Sequence, residues 1–412
     1  MHRGTIILVL LSCVSAELYS SVTYLDVPSV SNRIPCSSAR IKFENVQVLR
    51  DNNEISIVFH RPKNSNITVD EALLQTISTG CCYKRGAKLS PIKLYYSSIP
   101  ITRPFSFSEP LFIANVVHAK NIFHIIVDTL LSIHWTFEKE GIDKARFMWQ
   151  YCPISRTIPS VYSPLFAPYT TEFVDYPISA TVETVYIDLD RAPYRCKADP
   201  IHKHKKGSFL EECPKLIERF KARLFGFHNI TTTQSKTKKA VLIDRAPYNR
   251  QLVSIKSKGW VLQLQQFFKQ NNWDLNIIRF SDLDIVEQIR AVSNANLLVG
   301  VHGAGMAHLL WMPESSGVFV LYPSGCINYV YNFLAETLGH FHLSHDVSLA
   351  DTLFSTSSKI SGQDFQALEF SDSFLRLNDD TCFFHWKEAS IHLKSSKLIS
   401  LLKPLVKEIS SV

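Results

Sequence analysis

Residues 295–313 read Ala295-Asn296-Leu297-Leu298-Val299-Gly300-Val301-His302-Gly303-Ala304-Gly305-Met306-Ala307-His308-Leu309-Leu310-Trp311-Met312-Pro313. A short β-branched and aliphatic run breaks at small residues, then resumes as an apolar run of helical character that stops at a proline. That pattern spells a buried strand, a tight turn and a helix. The turn leaves backbone N–H groups without intrahelical acceptors at the positive end of the helix dipole, and Gly303, Ala304 and Gly305 let an anion approach the main chain closely. The glycines do not fit a GxGxxG fingerprint, and the chain has no GxxxxGK[ST] or GxSxG motif. Dinucleotide oxidoreductases, P-loop NTPases and serine hydrolases are therefore disfavoured.

Outward from this stretch, Lys239–Ile243 reads as a buried strand and Gly259–Asn271 as a helix. Asn276–Phe280 reads as a strand, Leu283–Asn294 as a helix and Gly317–Pro323 as one more buried strand. Alternating strands and helices predict an α/β fold on a parallel sheet, with a ligand site at the carboxyl ends of its strands. Arg245 and Arg250 follow one such strand, where guanidinium forks can hold phosphate oxygens; the alternative is a pair of solvated loop arginines. His302 precedes the turn's donors and reads as a phosphate or sugar contact. Asp-Arg-Ala-Pro-Tyr occurs at both 190–194 and 244–248, but nothing around the copies extends the match into a repeat. Asp188-Leu189-Asp190 and Asp282-Leu283-Asp284 match a DxD pattern, and both read as element-flanking acids rather than metal ligands.

Towards the N-terminus, Asn121–Gly141 has the clearest helix pattern in the chain. Asn121 stands at the N-cap, Gly141 at the far end, and apolar residues cover nearly the whole circumference. Asn121, His124 and Asp128 form the one polar stripe, which is either a satisfied hydrogen bond in a core or a functional pair. Strand patterns at 46–49, 55–59, 111–117, 146–149 and 184–187, with a helix at 214–225, suit an α/β first domain. The polar stretch Thr231–Lys239 predicts a linker, and a C-terminal helix near Ile391–Leu402 is expected to pack back on the body.

A chain of 412 residues with 46% hydrophobic residues favours two domains of roughly 150 to 200 residues. The formal charge of +7 comes with only one short basic patch, Lys203–Lys206, so nucleic-acid binding is not expected. Arg3, the apolar segment Thr5–Val14 and the small residues Val14-Ser15-Ala16 predict a cleaved signal peptide over 1–16 rather than a type II anchor, and no later run is long enough to span a membrane. Eight cysteines remain after residue 16, an even number that suits disulfides in an oxidising lumen. No Cys/His cluster has zinc spacing, while the sequons at Asn66 and Asn229 fit a secretory-pathway glycoprotein.

In combination, Asn121-x-x-His124-x-x-x-Asp128, Arg245 with Arg250, and Gly300-Val301-His302-Gly303-Ala304-Gly305 with Leu309, Leu310 and Pro313 resemble glycosyltransferase family 61, over about residues 110–325. The resemblance implies a GT-B-like α/β fold of two Rossmann-type lobes with a cleft between them: an acceptor-side lobe at 17–232 and a donor lobe at 233–412. It further implies an inverting transferase in the endoplasmic reticulum or Golgi lumen, or secreted, that moves a sugar onto a protein or glycan hydroxyl. N-acetylglucosamine from UDP-GlcNAc is the expected donor sugar, with no metal or other cofactor required. His124 oriented by Asp128 is the expected base, and Asn121, Arg245, Arg250, His302, Gly303, Ala304, Gly305 and Met306 are the expected donor contacts. Val320 stands where several relatives carry an acidic residue, which keeps open the alternative of a catalytically inactive secreted binding module.

Overall fold

The computed structural model describes residues 18, 20–26, 40–51, 54–66, 92–101, 105–114, 121–149, 160–188, 208–233, 235–245, 250–323, 330–353 and 389–411. The architecture is mixed α/β. Two compact units are formed: one from Met1–Val117, Lys144–Arg156 and Thr170–Asp190, the other from His118–Asp143, Thr157–Tyr169 and Arg191–Val412. The expected signal segment, Leu189 and Asp190 of the first DxD pattern, and seven of the eight remaining cysteines lie outside the described residues. The eighth, Cys213, is fully buried and disulfide-bonded.

The first unit is built on β1 (Ser21–Asp26), β2 (Arg40–Asp51), β3 (Glu54–His60), β4 (Ile92–Ser97), β5 (Leu111–Ala114), β6 (Ala145–Trp149), β7 (Thr170–Phe173) and β8 (Ile178–Asp188). They form one sheet in the order β4-β3-β2-β8-β5-β6-β7, with β1 alongside β2. β8, β5, β6 and β7 run parallel, while β2 is antiparallel to both β3 and β8. Along β2 the buried residues are Ile41 and Phe43, then Val46 and Val48. The change of parity falls at Asn45, whose φ of 53° is one that asparagine tolerates better than most residues.

The second unit carries the residues of greatest functional interest. Its strands β9 (Lys238–Ile243), β10 (Trp273–Ile278), β11 (Leu297–Val301), β12 (Gly317–Tyr322) and β13 (Phe341–Asp346) are all parallel, in the order β10-β9-β11-β12-β13. β11 and β12 are buried along their whole length, as expected of parallel strands covered on both faces. Its helices are α1 (Leu131–Glu140), α2 (Ser208–Phe227), α3 (Lys258–Gln270), α4 (Ile285–Val292), α5 (Val330–Thr337) and α6 (Ser395–Ser410). On one face Leu242, Val299, Phe319 and Leu321 pack with Trp260, Leu264 and Phe268 of α3 and with Leu398, Leu402 and Leu405 of α6. Each such side chain contributes about 1.5–3 kcal/mol by leaving water. No helix among the described residues is long and apolar enough to cross a membrane.

Several elements differ from the sequence reading. α6 continues through Pro404 to Ser410, because its apolar stripe of Leu402, Leu405, Val406 and Ile409 is fully buried; packing outweighs the missing amide hydrogen. The run Ala304–Trp311 is a 3₁₀ helix rather than an α-helix. Thr231–Lys239 joins α2 to β9 inside the second unit, so the compact units interleave along the chain instead of dividing at 232/233.

The Asn121 helix shows why they interleave. An all-round apolar helix needs cover on every side, and this one finds it in the second unit: His134 meets Phe220 of α2 at 5.5 Å between ring centroids, and Phe220 meets Trp311 at 5.6 Å. Arg219 of α2 grips Glu138 of α1 with two 2.7 Å hydrogen bonds. As expected, the Asn121 side chain accepts from the Phe123 N–H at 3.1 Å, and Gly141 closes the far end at φ 65°. The first stretch, His124–Leu130, is π-helical, a wider winding that occurs often at functional sites.

Burial also sets the charge state of this unit's histidines. Burial lowers His134 and His340 to about 4 and His308 to about 3, so all three are neutral in the folded protein. The unfolded chain, with histidine near 6.5, takes up these protons first as pH falls. The stabilisation is therefore complete above about pH 6.5 and is lost as pH drops towards 4. Thermal melts should show the melting temperature falling steadily from pH 6.5 to 4, with a shallower fall in His340→Gln; a flat profile across that range would contradict this assignment.

Candidate functional site

In sequence order the parallel sheet runs second, first, third, fourth, fifth strand, so the winding reverses between β9 and β11. In open α/β sheets, ligands bind outside the strand carboxyl ends at such a reversal. Arg245 lies two residues beyond the end of β9, and His302-Gly303 follows the end of β11. The topology therefore brings together the arginine loop and the glycine turn, 57 residues apart in sequence.

There, Nη1 of Arg245 and Nη1 of Arg250 each donate to the His302 carbonyl at 3.3 Å. Both guanidiniums are largely withdrawn from water, which lowers their pKa values. Arg250 falls to about 10, through burial first and the neighbouring Arg245 charge second. Among the described residues no carboxylate pairs with Arg245. Two adjacent buried cations on one neutral acceptor repel each other, and a bound anion relieves that repulsion. Arg250 also has a φ of 54°, a left-handed backbone that costs a non-glycine residue about 1–2 kcal/mol and is found preferentially at functional sites.

Gly303 makes the arrangement possible. A Cβ added there would fall 2.8 Å from Cζ of Arg245, and closer still to Nη1; the guanidinium occupies the space a side chain would fill. Gly305 is different, since an added Cβ would meet Phe280 at an ordinary 3.4 Å. In the 3₁₀ segment the Met306 N–H donates to the Gly303 carbonyl at 2.9 Å. The N–H groups of Ala304 and Gly305 thus precede the first intrahelical bond, and both residues are partly exposed.

The remaining predicted residues take varied places. The His302 ring is buried and tilted against Tyr322 at 5.2 Å and Tyr331 at 4.8 Å between centroids. Burial and the two arginines hold its pKa far below the usual histidine range. Its carbonyl accepts from both arginines. Met306 is fully buried, with its sulfur in the space beside Gly300, so its side chain belongs to the core. His308 is a core residue too: Gln288 donates to the Phe280 and Leu283 carbonyls, leaving its Oε1 to accept from His308 Nε2 at 2.9 Å. Asp284 caps α4 in a capping box with Glu287, which accounts for that half of the second DxD pattern. Val320 is fully buried on β12, opposite Gly300 of β11.

His124 is partly exposed at the start of the π-helical stretch. Phe123 beside it meets Tyr331 edge-on at 5.4 Å, and Tyr331 in turn touches the His302 ring. The His124 helix is thereby connected to the arginine site within one compact unit. Asp128 lies on the same π-helical stretch, with its side chain outside the described residues. The sequence reading missed Tyr331. The available signal was its position on the helix after β12, whose start returns to the carboxyl edge of the sheet.

Residues 122–319 match the Glycosyltransferase 61 family model. This part of the chain is similar to glycosyltransferase family 61. It contains both the His124 helix and the arginine–glycine site. The chain is 26% identical over 175 residues to the EGF domain-specific O-linked N-acetylglucosamine transferase of Xenopus laevis, an alignment covering 39% of this chain and 31% of that protein. It is 38% identical over 47 residues to the Bos taurus protein of the same name, covering 11% of this chain and 9% of that one. The Gallus gallus protein of that name is 41% identical over 44 residues, or 11% and 8% of the two chains. The matched segments thus span less than a third of the length of these curated relatives.

The clash that a Cβ at Gly303 would make yields a direct test. Gly303→Ala should displace the Arg245 guanidinium and weaken inorganic diphosphate binding by roughly tenfold or more, as expected for losing one charge-assisted contact. Isothermal titration would read this, and wild-type affinity in the variant would contradict the geometry.

Proposed function

We propose that this chain is an inverting glycosyltransferase that moves a sugar from a nucleoside diphosphate onto a protein or glycan hydroxyl. The observation that carries the reading is the pair of buried arginines on the His302 carbonyl, at the reversal point of a parallel sheet, inside the stretch that matches the Glycosyltransferase 61 family model. UDP-GlcNAc is the proposed donor, supported by relatives whose names specify N-acetylglucosamine transfer. The Rossmann-type order of β9–β13 supports the donor-lobe role of the second unit, and a GT-B-like pair of lobes is part of the proposal. A site in the secretory lumen is proposed from the N-terminal apolar segment and the cysteine content.

In the proposed reaction the acceptor oxygen attacks the anomeric carbon as the bond from that carbon to the diphosphate oxygen breaks on the opposite face. The acceptor proton passes to the His124 imidazole, with Asp128 as its orienting partner. The electron pair of the breaking bond goes to the diphosphate. Arg245, Arg250 and the N–H groups of Ala304 and Gly305 are placed to hold the charge that develops there. Two guanidiniums supply the positive charge a divalent metal would otherwise bring, so transfer is expected to be metal-independent.

A panel of nucleotide sugars, with detection of released nucleotide, tests the reading: UDP release from UDP-GlcNAc is expected, undiminished by EDTA. Absence of binding and of turnover with every donor would defeat the transferase and favour a binding module. Arg245→Ala should weaken UDP binding roughly 10- to 150-fold, the equivalent of one charge-assisted hydrogen bond of about 1.5–3 kcal/mol. His124→Ala should instead lower kcat by roughly 100- to 10,000-fold, with a much smaller effect on UDP affinity. Near-normal turnover in His124→Ala would remove it as the base.

A further inference from the structure

Tyr331 is 3% exposed on α5 and touches both halves of the proposed site. One side of its ring lies 4.8 Å from the His302 ring, whose backbone carbonyl takes the two arginines. Its other neighbour is Phe123, at 5.4 Å and 81°, the residue before His124. The phenol also interacts electrostatically with both guanidiniums. A phenylalanine would pack equally well between two rings, so packing alone does not call for a hydroxyl beside two buried cations. A hydroxyl both accepts and donates. Beside guanidiniums, which only donate, a hydroxyl can accept from them and give its own proton to an anion they bind.

We infer that Tyr331 is a ligand-contacting and positioning residue of the donor site: its hydroxyl donates to a diphosphate oxygen held by Arg245 and Arg250, and its ring seats the start of the His124 helix against that site. The inference rests on the donor-site reading above. Two functions in one side chain make two separable expectations. The hydroxyl serves affinity for the nucleoside diphosphate, and the ring serves turnover by fixing where the base stands, since a displacement of about 1 Å can lower a rate roughly 100-fold.

Tyr331→Phe and Tyr331→Leu in the full chain separate these roles, with UDP titration for affinity and UDP release from UDP-GlcNAc for turnover. Tyr331→Phe should weaken UDP binding roughly three- to tenfold, the effect of one neutral hydrogen bond. Tyr331→Leu should weaken it at least as much and also reduce kcat at least tenfold below that of Tyr331→Phe. A merely structural tyrosine would lower the melting temperature without this split between affinity and turnover. Wild-type UDP affinity in Tyr331→Phe overturns the hydroxyl's role, and equal kcat in the two variants overturns the ring's role. If the unmodified chain binds neither UDP nor another nucleoside diphosphate, the donor-site reading itself has failed and this inference falls with it.

Discussion

Two guanidiniums share a single backbone oxygen, and much of the second unit is arranged so that they can. Nη1 of Arg245 and of Arg250 both reach the His302 carbonyl. That oxygen lies at the end of β11 because five parallel strands are wound with their reversal between β9 and β11. Gly303 lacks a side chain where Arg245 lies, and Arg250 adopts a left-handed backbone. Each feature is unfavourable or unexplained when taken alone. Together they concentrate positive charge in a place poor in water, where an anion is bound more strongly than at the surface.

The surroundings keep that charge in place by being neutral and rigid. Burial and the adjacent arginines hold His302 uncharged, so its ring adds no further repulsion beside the two guanidiniums. Its ring lies between Tyr322 and Tyr331, and the Tyr322 hydroxyl is anchored to Asn332 at 3.0 Å. His308, behind the turn, is held by Gln288 and packs tilted against Phe280 at 4.4 Å between ring centroids. Such satisfied polar contacts inside an apolar core limit the rotamers open to the turn. A preorganised turn of this kind suits electrostatic stabilisation of a leaving group, which requires donors already in position.

The Asn121 helix shows how packing can override chain order. It follows directly on the strands of the first unit, and sequence proximity assigned it there. Its circumference is almost wholly apolar, and the partners that cover it include Tyr169 and, from much further along the chain, Phe220 on α2 and Tyr331 on α5. Membership of a unit is decided by which surfaces bury each other, and that information is distributed over positions some 90 to 200 residues further along the chain.

Short-range signals along the chain specify the local elements and much of the chemistry. β9, β11, β12, the capped Asn121 helix and α3 follow from hydrophobic period and from end signals such as Asn121 and Gly141, which are short-range physics. The pairing of the Arg245 loop with the Gly303 turn was also foreseeable, because strand–helix alternation implies a parallel sheet with its site at one edge. Long-range packing settled the rest. It turned the Met306 side chain into the core, set the His302 carbonyl to accept from both arginines, wound Ala304–Trp311 as 3₁₀ and carried α6 past Pro404. It also brought Tyr331 between the His124 helix and the arginines. These outcomes depend on the shape of the space left by distant side chains, and residue type and spacing along the chain do not encode that shape locally.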